Sequence, residues 1–200
     1  MVKQQRSQET RDHLIEAALA SFAQHGYQSS SVEEICRVAG VSKGAFYHHF
    51  DSKQAVFLEL LEHWLGGLDA GLEAIRAQTP DAATALRQMV QLAGGLSRQA
   101  QGNLPLFLDF LSQARLDPQV WQATIDPYRR YQRYFAGLIQ SGVDDGSLGP
   151  VDSDAAARLL VAVAVGWLLQ SVLDPQAADW GAVLEDHIRT LFQGLQRRRG

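Results

Sequence analysis

Two hundred residues, 46% of them hydrophobic, suffice for a sizeable core in one or two domains, and a single cysteine, Cys36, excludes an internal disulfide. The net charge of -4 excludes the overall basic balance of many nucleic-acid-binding chains, so any such contact has to be local. The opening is polar through Asp12 and no apolar run approaches the roughly 20 residues that span a bilayer, so a cytoplasmic protein with no membrane partner is expected.

Residues 1 to 9 are polar, with Lys3 and Arg6 placed to reach phosphates as a basic arm or to remain a solvated tail. From Thr10 to Gln24, Leu14, Ile15, Ala18, Leu19 and Phe22 mark one face of a helix, and Gly26 is its natural stop. Ser31 stands three residues before Glu34 in a capping-box pattern, and Val32, Ile35, Val38 and Ala39 follow at helical spacing. Gly40 supplies the left-handed conformation that closes this short helix, and Ser42 caps the next, which carries Phe46 and Phe50 inward. Cys36, on the inner half of the first of these helices, reads as a buried structural thiol or as a redox switch. The result is helix, tight turn, helix, a unit whose second helix lies in the DNA major groove.

Ser42, Lys43, Gly44, Ala45, Tyr47, His48 and His49 suit that groove, being small at the tip of the helix and polar on its outer side. Lys43 can pair with guanine acceptors or a phosphate, and Tyr47 and His48 can donate to phosphates or reach base edges. Ala45 offers only a methyl group, so direct readout is sparse and DNA shape contributes. All three lysines of the chain, Lys3, Lys43 and Lys53, fall within residues 1–53, where six basic residues balance six acidic ones. Lys53, at the start of the following helix, is placed to meet the DNA backbone.

Gly26-Tyr27, Ser31-Val32-Glu33-Glu34-Ile35, Val41-Ser42-Lys43-Gly44, Tyr47-His48-His49-Phe50 and Ser52-Lys53 together resemble the N-terminal domain of TetR-family transcriptional regulators, over roughly residues 10 to 60. The resemblance implies an all-α homodimer with a helix-turn-helix domain over 1–53 and a helical effector-binding and dimerisation domain over 54–200. It implies a repressor that leaves a two-fold symmetric operator in double-stranded DNA when a small molecule binds. It also carries a phosphate-contact role onto Ser31, Tyr47, His49 and Lys53, although His49 reads equally as a packed structural residue. An activator or ligand-independent binder of the same fold is the alternative, and a helical enzyme or carrier that has kept the module a remoter one.

Asp51 or Ser52 caps a long helix through Val56, Phe57, Leu60, Leu61, Trp64, Leu65, Leu68 and Leu72 to Gln78. At about 1.5 Å per residue it is roughly 38 Å long, enough to reach from one domain into the other. Gly66, Gly67 and Gly71 interrupt it and mark a bend, a hinge or a close helix contact. Pro80-Asp81 opens a fifth segment with Leu86, Met89, Val90, Leu92 and Ala93 on its apolar side, ending at a Gly102-Asn103 turn, and Leu104 to Ala114 forms another apolar helix. Asp117-Pro118 starts a helix that runs to about residue 141, and Asp126-Pro127 repeats the same start signal inside it, which predicts a kink or a split. Residues 142–150 are a loop, and Asp152 to Leu173 and Asp179 to Arg197 are the last two helices. The basic Arg197 to Arg199 complement a helix C-terminus or make a second DNA contact.

Trp64, Met89, Phe107, Phe110, Trp121, Tyr128, Tyr131 and Trp167 supply an aromatic lining with few converging charges, suited to a small apolar or aromatic effector. Leu160, Val163, Trp167, Leu184, Ile188, Leu191 and Phe192 exceed what one side of a small bundle needs and are assigned to a four-helix dimer interface. His48 and His49 are adjacent and point about 100° apart on a helix, so they cannot act as a pair of metal ligands. No Walker glycine loop, serine elbow or Cys-x-x-Cys is present, so no enzyme, cofactor or metal is expected.

Overall fold

Helices make up every regular element of the computed structural model, which describes residues 2–100 and 104–195, with side chains over 5–95 and 106–191. In chain order they are α1 (Val2–His25), α2 (Val32–Ala39), α3 (Lys43–His49), α4 (Lys53–Gln78), α5 (Ala82–Ala100), α6 (Leu104–Ala114), α7 (Pro118–Asp144), α8 (Ser153–Leu173) and α9 (Trp180–Leu195). The caps explain the boundaries. Ser31 accepts the N–H of Glu34 and Ser42 that of Ala45, both at 3.1 Å, while Gly40 takes φ 68° and closes α2. Asp81, Asp117, Asp152 and Asp179 do the same for α5, α7, α8 and α9, each cap contributing about 0.5 to 2 kcal/mol. Only the first half of the capping box forms at α2, because Glu34 turns to the guanidinium of Arg37.

Three expectations change. The polar opening is helical from Val2, where Gln8 bonds Asp12 and Thr10 bonds the carbonyl of Arg6; most of residues 3–9 are good helix formers that extend α1 by a further two turns. α7 is continuous through Pro127, which removes one N–H from the ladder without splitting the helix. α8, at 21 residues, is long and apolar enough to cross a membrane by length and composition, contrary to the reading that no run came close. It packs along α9 and carries Asp154 and Arg158. The Gly102-Asn103 turn and Arg197 to Arg199 lie outside the described residues.

Packing divides the chain into two units, one of residues 1–66 with 105–121, the other of residues 67–104 with 122–200. In the first, Leu14, Ala18, Phe22, Ile35, Phe46, Phe50, Val56 and Phe57 form the interior. Each fully buried aromatic there contributes about 1.5 to 3 kcal/mol. Cys36 joins this core at 4% exposure, and burial pushes its thiol pKa up. In the second, Leu72, Leu86, Met89, Ile139, Leu160, Leu184 and Ile188 are buried. α5 lies close enough to α9 that a Cβ on Gly94 would come within 3.3 Å of the Gly181 carbonyl.

Candidate nucleic-acid interface

Phe46 and Phe50 anchor α3 from below, leaving Lys43, Gly44, Tyr47 and His48 exposed on one side of a helix only seven residues long. Tyr47 is 55% exposed, its ring edge against Phe46 at 5.3 Å between centroids. Ser42 is exposed at the tip and Ala45 half-buried. Lys43 bonds Glu33 in the first turn of α2, which lowers the pKa of the glutamate and raises that of the lysine. Ser31 is exposed at the start of α2, its hydroxyl oxygen accepting from Glu34. His49 is half-buried with its ring 5.0 Å from that of His48; burial, then the charges of His48 and Arg11, depress its pKa.

Two groups absent from the sequence expectations brace this surface. Arg11 of α1 bonds Glu59 of α4 and lies 4.9 Å over the ring of Phe50, joining three helices around the end of α3. Asp109 of α6 accepts the N–H of Tyr27 at 2.9 Å, and Gln113 of the same helix accepts from Gln28, also at 2.9 Å. No periodicity signals such pairs, because 82 and 85 residues separate the partners. Lys53 turns its ammonium to the same α1–α2 turn, at 2.6 Å from the carbonyl of Tyr27 and 2.8 Å from that of Ser30.

The aromatic residues assigned to an effector divide between the units. Trp64, Phe107, Phe110 and Trp121 belong to the first, Met89, Tyr128, Tyr131 and Trp167 to the second. Trp64 and Phe107 come together at 6.2 Å, and Trp121 is 49% exposed. Phe110 is buried, stacked on Phe57 at 4.0 Å, and Met89 and Trp167 are also core residues. Tyr131 donates to Asp69, which also pairs with Arg130; burial and then this hydrogen bond push the phenol up to about 12. An open depression of about 450 Å³ beside Gln140, Asp152 and Ser153 is lined by none of these aromatic residues.

A family model described as BetI-type transcriptional repressor, C-terminal, matches residues 80–193, more than half of the chain, and one described as bacterial regulatory proteins, tetR family, matches residues 14–60. The chain belongs to the TetR family of transcriptional regulators. Among TetR-type relatives, UidR of Escherichia coli K12 is 26% identical over 197 residues, covering 96% of this chain and 95% of that protein. A TetR regulator from Haloarcula marismortui has the same fold at TM-score 0.86 and 15% identity, covering 95% of this chain and 100% of that one. A regulator from Saccharomonospora viridis, solved in complex with choline, has it at TM-score 0.82 and 24% identity, over 95% and 100%. TetR regulators bind DNA and small-molecule effectors as dimers and are not enzymes, which removes the reading as a helical enzyme or carrier.

Of the residues assigned to the TetR dimer interface, Leu184 (1% exposed), Ile188 (3%), Leu160 and Trp167 are buried within a single chain. Trp167 also donates its indole N–H to the carbonyl of Trp180, tying α8 to the start of α9. Val163 and Leu191 are half-buried, and the side chain of Phe192 lies outside the described residues. Among the described residues of α8 and α9, an apolar stripe stays open on α8. Ala155, Leu159, Ala162, Gly166, Leu169 and Leu173 recur at alternating steps of four and three, with Leu159 50% and Leu173 69% exposed.

Proposed function

We propose that the protein is a cytoplasmic repressor that grips a two-fold symmetric operator as a homodimer and releases it when a small apolar or aromatic effector binds its C-terminal part. Residues 1–53 form the DNA-binding domain and residues 54–200 the effector and dimer domain. The observation that carries the reading is the outward side of α3, where Lys43, Gly44, Tyr47 and His48 stand exposed above a buried Phe46 and Phe50. Gly44 and Ala45 let the helix backbone approach the groove floor, Lys43, Tyr47 and His48 meet base edges or phosphates, and Ser31, Ser42 and His49 contact the phosphates.

Dimerisation through the α8 stripe supports the two-fold operator. Its four-three spacing is that of a helix seam, and Ala162 and Gly166 at mid-length allow close approach of a partner helix. Trp64, two residues before Gly66 on α4, and Phe107 beside it are the first effector contacts to test. Selecting duplexes from a random library with the purified protein, followed by footprinting, tests the reading. A two-fold symmetric footprint that a metabolite or drug dissolves is the expected result; no enrichment of any duplex overturns it. Screening compounds by the quenching of tryptophan fluorescence identifies the effector.

A further inference from the structure

A lysine ammonium has three N–H donors and no acceptor. In Lys53 all three face one turn, that between α1 and α2: Nζ lies 2.6 Å from the Tyr27 carbonyl, 2.8 Å from that of Ser30 and 3.5 Å from that of Gln28. The ammonium also sits 4.2 Å over the ring of Tyr27, which packs on Phe57 at 4.1 Å. The same turn is held from α6, where Asp109 takes the N–H of Tyr27. Ser30 secures the rest, its hydroxyl directed at the carbonyls of Ser21 and Gly26. Every one of these residues belongs to the first packing unit.

The turn ends on Ser31, the residue that caps α2, so its shape fixes the direction in which α2 and then α3 leave α1. We propose that Lys53 is a positioning residue: it holds the α1–α2 turn by its carbonyls, with Asp109 holding the amide, and so sets the presentation of α3, instead of contacting a DNA phosphate. The ammonium lies at the C-terminal end of α1, where carbonyl dipoles favour a positive charge. Moving it to a phosphate would leave the Tyr27 and Ser30 carbonyls without the donor they now have. This inference rests on the DNA-binding reading above.

The two roles differ in what replaces the lysine. A phosphate accepts an arginine at least as well, whereas a planar guanidinium cannot converge on three carbonyls as a compact ammonium does. The test uses the full chain and a duplex that the wild type selects from a random library, with a scrambled duplex beside it. Lys53→Met and Lys53→Arg should each lose about ten-fold or more on the selected duplex. Both should keep their affinity for the scrambled duplex, and the salt dependence of Lys53→Met should match the wild type. Asp109→Ala should weaken the selected duplex alone in the same way. Loss of about one unit of salt slope in Lys53→Met, equal weakening on both duplexes, or full rescue by arginine overturns the proposal.

A measurement on the unaltered protein keeps the test decisive if the variants fail to fold. The chain has only three lysines, so the ammonium nitrogen of Lys53 is identified by replacing Lys3 and Lys43. Its resonance should be the same with and without the selected duplex, and a coupling to a backbone phosphorus would overturn the proposal. If no duplex is selected, the DNA-binding reading fails by itself, while a slowly exchanging Lys53 ammonium in the free protein still reports the clamp.

Discussion

The ammonium of Lys43 is already engaged, since it bonds Glu33 on the same surface. If Lys43 contacts DNA as proposed, the DNA has to displace that carboxylate, which repels phosphates as well. Lys43→Ala and Tyr47→Ala should each weaken operator binding by about 1 to 3 kcal/mol with helicity and melting unchanged, measured by fluorescence anisotropy and circular dichroism. Glu33→Gln should act in the opposite direction and strengthen binding, most at low salt. His49 makes a different prediction, about pH. Its folded pKa lies below the unfolded value near 6.5, so on acidification the unfolded chain takes up the proton first and stability falls as pH drops through that value. Between about pH 7.5 and 5.5 the wild type should therefore lose more melting temperature than His49→Gln does; equal losses would place the effect on other groups.

Among the helices, α2 and α3 show where local sequence was informative and α4 where it was not. The caps at Ser31, Gly40 and Ser42 were legible because each acts within four residues, and the helix-turn-helix follows from them. The three glycines of α4 were ambiguous, since a glycine serves packing and bending alike, and only neighbours decide. A Cβ on Gly71 would meet Leu92 at 2.5 Å, so that glycine exists for contact, whereas Gly66 and Gly67 have nothing within 4 Å. The division between the packing units falls between those two residues. Gly66→Ala with Gly67→Ala should raise stability, by up to about 1 kcal/mol for each residue, and leave operator binding intact. What the double variant should lose is part of the effector's influence on operator affinity, which is typically about 1 to 3 kcal/mol. An undiminished effector response in titrations with and without compound would deny these glycines a hinge role. α6 was legible as an apolar helix from Leu104 to Ala114, but its partners were not, because Asp109 and Phe110 meet Tyr27 and Phe57 only through the tertiary fold.

For the whole molecule, the periodicity of α8 and α9 predicts buried faces, which the sequence assigns to a four-helix dimer interface because periodicity does not distinguish a partner chain from the protomer's own interior. Leu184 and Ile188 satisfy that pattern inside one chain, and among the described side chains of these two helices the large exposed apolar residues are Leu159, Leu169 and Leu173. Leu159→Asp combined with Leu169→Asp should give folded monomers in analytical ultracentrifugation that no longer bind the operator specifically. Ile188→Asp should instead lower the melting temperature sharply, because it places a charge in the interior of the protomer. Folded dimers in the first variant would move the interface off this stripe.

The lone thiol of Cys36 has a practical consequence. It is closed off beneath α2, so a colourless aromatic disulfide added to the native protein can react only with molecules in which that helix has momentarily lifted. With one such sulfur in the chain, the colour released counts openings of the DNA-reading half alone, undiluted by signals from elsewhere. Slower release in the presence of operator would measure, second by second, how firmly bound DNA holds that half shut.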